Sequence, residues 1–178
     1  MKHNHRLAPA AKHQNILRAF SKLLLLGLIL VTCQFAMAQS KYVKKFHPMA
    51  DSLSEVYGVP VSVILGVAIM ESGSGTSRNC KLLNNHFGIV GKNNLVKTNG
   101  IKSRYKQYSN SQASYVDFCK LMAKKRFYTK LKDNSDYLLW ADAISKAGYS
   151  EIPEIWKQRL IAIIKKNKLA DLKSVAAR

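Results

Sequence analysis

Apolar positions along this chain fall into two kinds of run. Leu23–Val31 (LLLLGLILV) and Val61–Met70 (VSVILGVAIM) are apolar at nearly every position, whereas elsewhere apolar residues recur every three or four positions. That interval predicts helices with one buried stripe. The first covers 48–57, with Met49, Leu53, Val56 and Tyr57 inward, and another covers 111–125, with Tyr115, Phe118, Leu121 and Met122. A third covers 136–147 (Leu139, Trp140, Ala143, Ile144), and the last runs over 153–167 (Ile155, Trp156, Leu160, Ile163, Ile164). Arg78–Leu83 reads as a short helix and 126–135 as a basic connector with a helical turn. Pro48 and Pro153 suit first turns, Gly58 and Gly148 suit stops.

Val61–Met70 holds one polar side chain, Ser62, and one glycine, Gly66, and it follows the breaker Gly58-Val59-Pro60. Apolar on all sides, it predicts a helix buried all round, although its period alone also permits a buried strand. It ends at Glu71, before Ser72-Gly73-Ser74-Gly75. A lone carboxylate is therefore expected at the end of a buried helix, beside a glycine-rich opening. Apolar surroundings and the negative end of the helix dipole both disfavour its ionised form. A carboxylic acid kept protonated near neutral pH can protonate a leaving oxygen. The bland alternative places Glu71 past the helix end, solvated and inert.

Between the helices, Phe87-Gly88-Ile89 is expected to be extended. Asn99-Gly100 is a hairpin signal, with Leu95–Lys97 and Ile101–Tyr108 as arms. This segment is basic, through Lys92, Lys97, Lys102, Arg104 and Lys106, and has no acid; of its Tyr105 and Tyr108, candidates for an exposed binding face, one fits a core position equally well.

The first apolar run changes the picture of the whole chain. Lys2, Arg6, Lys12, Arg18 and Lys22 precede or adjoin it, no acid does, and Ala36-Met37-Ala38 follows as a cleavage-type site before Gln39. Residues 1–38 thus read as an export signal, and nine apolar residues are well short of the roughly 20 that span a bilayer. Cys33 lacks the small preceding residues of a lipidation site. Setting aside the five basic residues of the leader leaves 24 Lys and Arg against ten acids, a formal charge of about +14. One domain of 48–169 is expected, behind a loosely ordered basic lead-in at 39–47 and before a frayed tail at 170–178. Such a charge suits an anionic cell-envelope surface; nucleic acid would fit electrostatically but not by compartment.

Four blocks in order carry a resemblance: Ala68-Ile69-Met70-Glu71-Ser72-Gly73-Ser74-Gly75-Thr76-Ser77; Asn84-Asn85-His86-Phe87-Gly88-Ile89; Tyr105–Ser109 with Ser114–Phe118; and Gly148-Tyr149-Ser150. They resemble the glucosaminidase family of peptidoglycan hydrolases, whose pattern reads A-x-x-E-S-G-x-G-x-S … N-N-x-F-G-I-K; Val90 stands where the family prefers lysine. The resemblance covers about 48–169. It implies a mainly α, lysozyme-like fold with a small β-hairpin lobe over a substrate cleft. It also implies Glu71 as general acid and Tyr149 as catalytic support, with Asn85, Phe87, Gly88 and Tyr108 binding substrate, and Asp117 as a structural acceptor of loop backbone hydrogen bonds.

Glycoside hydrolysis usually employs two carboxylates, yet no Asp or Glu lies between Glu71 and Asp117, so the lobe supplies no second acid. Family members thought to carry one there differ from this chain. Attack by the substrate's own 2-acetamido group, supported by Tyr149, needs none. A lytic transglycosylase working with a single glutamate is an alternative, as is a glycan-binding module that has lost catalysis. Tyr149 and Phe87 each also fit a core position. His47 and His86 show no ligand spacing, so no metal and no cofactor is expected. Cys80 and Cys119 either pair in an oxidising compartment or sit as small buried hydrophobes. The reading is an exported, monomeric endo-β-N-acetylglucosaminidase acting on peptidoglycan glycan strands.

Overall fold

The structure, a computed structural model, describes residue 22 and residues 41–172. The expected export signal lies outside the described residues, as does the end of the tail beyond Leu172. Among the described residues the elements are helices: α1 over 41–57, α2 Val61–Ser72, α3 Arg78–Leu83, α4 Leu95–Asn99, α5 Ser111–Ala123, α6 Tyr128–Leu131, α7 Tyr137–Lys146 and α8 Pro153–Lys166. A 3-10 turn, Leu169–Asp171, follows.

The centre is α2. Pro60 stands at its N-cap, nine of its residues are buried, and Gly73 ends it in the left-handed region at φ 57°. A β-carbon on Gly66 would lie 2.8 Å from Ile164 and 2.9 Å from Leu160, so the missing side chain lets α8 lie directly against α2. Trp140, Ile144, Leu160 and Ile164 from α7 and α8 complete this core, with Tyr115, Phe118 and Met122 from α5.

The sequence pattern located α2, α3, α5, α7 and α8 closely and misplaced the start of α1. The lead-in is not loose: 41–47 are the start of α1, and Tyr42 and Phe46 enter the core at 5% exposure each. Lys41, Lys44 and Lys45 make that segment look polar, but the two aromatic residues lie four apart, on one helical face. Val56, Leu139 and Ile155, expected inward, are exposed. Each lies at the margin of its stripe, where a helix of 3.6 residues per turn carries it past the contact. The tail does not fray at 170, since Leu169 is buried and Leu172 packs against the core.

The hairpin at Asn99-Gly100 does not form. Leu95–Asn99 is a short helix, and Gly100 (φ 66°) is its left-handed cap. A type I′ turn and a helix C-cap both demand positive φ, so one glycine serves either. The antiparallel contact comes instead from an isolated bridge between Val90 and Tyr105, flanked by backbone bonds from Gly91 N–H to Arg104 O (2.9 Å) and from Lys106 N–H to Ile89 O (2.8 Å). No strand occurs among the described residues. Asn93 braces the lobe by donating to the carbonyls of Ser103 and Tyr105, both at 2.8 Å.

Candidate functional site

Glu71 lies in the last turn of α2, half-buried, in the wall of a cleft of about 670 Å³. Gly88, Ile89 and Val90, with Arg104 and Tyr105 of the lobe, also line it, Gly88 directly beside the carboxylate. Leu121 and Lys125 from the end of α5 and Gly148–Ile152 between α7 and α8 close the rest, with Trp156 of α8. Burial raises the proton affinity of Glu71, while a 2.8 Å hydrogen bond from Trp156 Nε1 to Oε1 works against it; burial is the larger effect. The carboxyl is thereby biased toward the protonated form that a proton donor requires.

The helix end that carries Glu71 is held by a buried polar network. Ser72 Oγ donates to Ala68 O (2.6 Å) and accepts from Gly75 N–H (2.8 Å), which folds the glycine-rich segment back on the helix. The Tyr42 hydroxyl is hydrogen-bonded to His86 Nδ1 (2.6 Å) and to the Tyr115 hydroxyl (2.9 Å). His86 N–H donates to Ser114 Oγ at 3.0 Å. Burial, with Lys45 adding to it, pushes His86 down to about 4, so the ring is neutral across the physiological range. Cys80 and Cys119 are both free thiols, not a disulfide, and both are buried.

The sequence-derived site residues divide. Gly88 is at the cleft with φ 66°, and a β-carbon there would stand 3.4 Å from Glu71 Oε2 and 4.0 Å from the Tyr105 ring. Glycine thus satisfies both the backbone conformation and the close approach beside the carboxylate. Tyr149 also lines the cleft. Its hydroxyl donates to Phe87 O at 2.7 Å, and its ring packs 5.3 Å from that of Trp156. Phe87 contributes backbone to the wall, but its ring is 1% exposed, stacked at 4.3 Å on Phe118.

Asn85 and Tyr108 do not reach the cleft. Asn85 is buried and spends its amide on the lobe, donating to Ile89 O (2.9 Å) and Lys106 O (2.8 Å) and accepting from the N–H groups of Phe87 and Ile89. Tyr108 is 7% exposed and its hydroxyl donates to Asp117 Oδ2 at 2.8 Å, so it anchors the lobe from beneath. Tyr105 and Tyr108 stand an odd number of positions apart, a spacing that turns two side chains of an extended segment to opposite sides; Tyr105 is the cleft residue. Asp117 is a structural acceptor, but its partners are the side chains of Lys106 (2.7 Å) and Tyr108, not loop backbone. Burial alone would raise Asp117, and the Lys106 and Tyr108 bonds outweigh it, holding the carboxylate below its ordinary range.

Among the cleft residues that sequence reasoning missed are Trp156, Arg104, Lys125 and Glu151. Trp156 lies on the apolar stripe of α8 and was expected as core only; the signal was its indole N–H, which needs a partner when buried. Glu151 directly follows the Gly148-Tyr149-Ser150 block and supplies a second carboxylate to the cleft.

Comparison with known proteins places this geometry. The family model described as mannosyl-glycoprotein endo-beta-N-acetylglucosaminidase, the glucosaminidase model, matches residues 47–169. The chain is similar to the exo-glucosaminidase LytG of Bacillus subtilis, at 26% identity over 154 residues, covering 77% of this chain and 54% of LytG. It therefore spans about half the length of that curated relative. The catalytic domain of the autolysin Auto from Listeria monocytogenes shares the fold at a TM-score of 0.62, with 20% identity, 75% of this chain and 86% of that one covered. The glycoside hydrolase domain of Salmonella typhimurium FlgJ, truncated at its C-terminus, superposes with a TM-score of 0.59 and 22% identity, over 73% and 97% of the two chains. Those domains share the mainly helical, lysozyme-like arrangement found here. By the model that matches most of its length and by the cleft its motifs build, this chain belongs to the glucosaminidase family.

Proposed function

We propose that this protein hydrolyses β-1,4 glycosidic bonds at N-acetylglucosamine in peptidoglycan, with Glu71 protonating the leaving oxygen. The observation that carries the reading is Glu71 itself: a carboxyl at the end of a buried helix, biased toward its acid form by burial, facing a cleft beside Gly88. The substrate's 2-acetamido group attacks the anomeric carbon, and the lobe offers no acid to replace it. Tyr149 supports this step as an acceptor. Its proton is committed to the Phe87 carbonyl, which leaves the phenolic oxygen to receive the acetamide N–H and orient the group. An export leader at 1–38 would deliver the monomeric enzyme to the envelope, where its positive charge adds attraction to anionic polymers. The family description names an endo-acting enzyme, and we adopt that mode for this chain.

Glu151 favours a second reading. As another carboxylate lining the same cleft, it suits a general base that activates water on the sugar face away from Glu71 in an inverting displacement.

Digestion of purified peptidoglycan by wild type and Glu71→Gln, with products read by mass spectrometry, tests the proposal. New reducing N-acetylglucosamine ends from wild type only are expected, with fragments of mixed length early in the reaction. Anhydro-muramyl ends would make it a transglycosylase, and binding without products a glycan-binding module. Azide separates the two mechanisms. Restored turnover of Glu151→Ala, with an inverted glycosyl azide, would establish Glu151 as the base; Glu151→Gln at wild-type rate would leave the acetamide route.

A further inference from the structure

The cleft contains two cations, Arg104 and Lys125, that are in no ion pair among the described residues. Arg104 is exposed on the lobe, its guanidinium 5.5 Å from the centroid of the Tyr105 ring. Lys125, which also lines the cleft, is half-buried, and its ammonium donates to Ala147 O, the C-cap carbonyl of α7, at 3.4 Å. Nearby lysines are paired: Lys106 with Asp117 at 2.7 Å, and Lys157 with Asp142 at 3.2 Å and Glu154 at 2.9 Å. Among the described residues no ion pair joins Arg104 or Lys125 to Glu71 or Glu151, the carboxylates that share the cleft with them. Glu71 is bonded to Trp156 instead. The remaining titratable groups in the wall, Tyr105 and Tyr149, are phenols.

Two unpaired cations beside the Tyr105 ring gain nothing from N-acetylglucosamine, which is neutral. In a glycan of alternating N-acetylglucosamine and N-acetylmuramic acid, the acid group belongs to the muramyl sugar, through its lactyl ether or the peptide that the ether carries. We propose that Arg104 and Lys125 form an anion subsite that takes this muramyl-borne carboxylate while the neighbouring N-acetylglucosamine bond lies at Glu71. The guanidinium fork suits a bidentate grip on a carboxylate, and the ammonium adds a point charge within the same cleft. The subsite deepens the hydrolase reading and rests on it. It makes the cleft select peptidoglycan over uncharged chitin-like chains by charge. If the lactyl carboxylate itself is the ligand, the substrate must be supplied by an amide-hydrolysing reaction that removes the peptide first.

Binding to Glu71→Gln by calorimetry tests this without turnover. The probes are chitotetraose, a peptide-free tetrasaccharide of alternating N-acetylglucosamine and N-acetylmuramic acid, and the same tetrasaccharide with its peptides attached. At low salt, one or both acidic probes are expected to bind about tenfold tighter than chitotetraose, the size of one charge-assisted contact of about 1.4 kcal/mol. The preference should shrink with added salt. Arg104→Gln, an exposed change that should not disturb folding, is expected to remove most of it, and Arg104→Gln with Lys125→Gln all of it. A preference for the peptide-free probe assigns the lactyl carboxylate; a preference for the peptide-bearing probe alone assigns the peptide. Equal affinity for acidic and neutral probes, a preference that survives the double variant, or no binding to any probe would overturn the subsite. Wild-type digestion is scored separately, so a charge preference without new reducing ends would retain the subsite and reject hydrolysis.

Discussion

Replacing Trp156 with phenylalanine removes the side-chain donor that reaches the Glu71 carboxylate among the described residues, the 2.8 Å bond from Nε1 to Oε1. That bond favours the ionised carboxylate and partly offsets burial, which favours the acid. Hydrogen bonds to charged groups contribute roughly 1.5–3 kcal/mol, and the cleft leaves Glu71 partly exposed, so the lower end applies. At about 1.36 kcal/mol per pH unit, losing the bond should carry the titration of Glu71 about one pH unit upward. A general acid must be protonated to work, so activity falls on the alkaline side as Glu71 ionises. The assay is kcat/KM against pH on a soluble oligosaccharide, which reports the free enzyme, with circular dichroism checking that the variant is folded. The expected result is an alkaline limb displaced upward by about one pH unit. A limb that stays in place, or moves toward acid, would refute the claim that Trp156 tunes this carboxyl.

Glu71→Gln keeps an acceptor for Trp156 and removes a charge that burial disfavours. Because folding raises the proton affinity of Glu71, its stabilising contribution is complete below the ordinary carboxylate range and is lost as pH rises through the raised value. The variant should therefore melt above wild type near neutral pH, with the gain vanishing in acid. Asp117→Asn deprives Lys106 and Tyr108 of their charged partner; the ion pair is partly exposed, so a loss of about 1 kcal/mol is expected in urea unfolding. Folding lowers the proton affinity of Asp117, so this difference is present above the ordinary carboxylate range and closes as pH falls through the depressed value. Asn85→Ala strands the buried partners of one amide and should cost about 3 kcal/mol in the same measurement; faster hydrogen exchange at Phe87 and Ile89 would locate the effect. Gly88→Ala forces φ 66° on an L-residue at a cost of about 1–2 kcal/mol and sets a methyl 3.4 Å from Glu71 Oε2. A drop in kcat/KM of about tenfold, with a modest fall in Tm, is expected.

The sequence by itself determined that Val61–Met70 is buried and that a carboxylate ends it. The run is apolar on every side and lies between Pro60 and Gly73; that it is a helix and not a buried strand was decided by the fold. Gly88 was legible for a related reason, since a glycine inside an ordered motif marks a backbone conformation or an approach that a β-carbon forbids. Patterns of this kind are local: they depend on residues a few positions apart, and the chain carries them before it folds.

Tertiary structure decided what each polar group faces. Asn85 and Tyr108 stand in motifs beside the cleft residues, yet one bonds the lobe backbone and the other Asp117, because partners 21 and 9 positions away reached them first. Asn99-Gly100 carried a turn signal that fits two conformations equally, and the asparagine braces of the lobe selected the helix cap. Trp156 lies 85 positions from Glu71, and its indole N–H found that carboxylate only when Gly66 let α8 close on α2. Spacing along a chain fixes which face of a helix a residue takes. The atom that waits across the gap is set by how the helices pack.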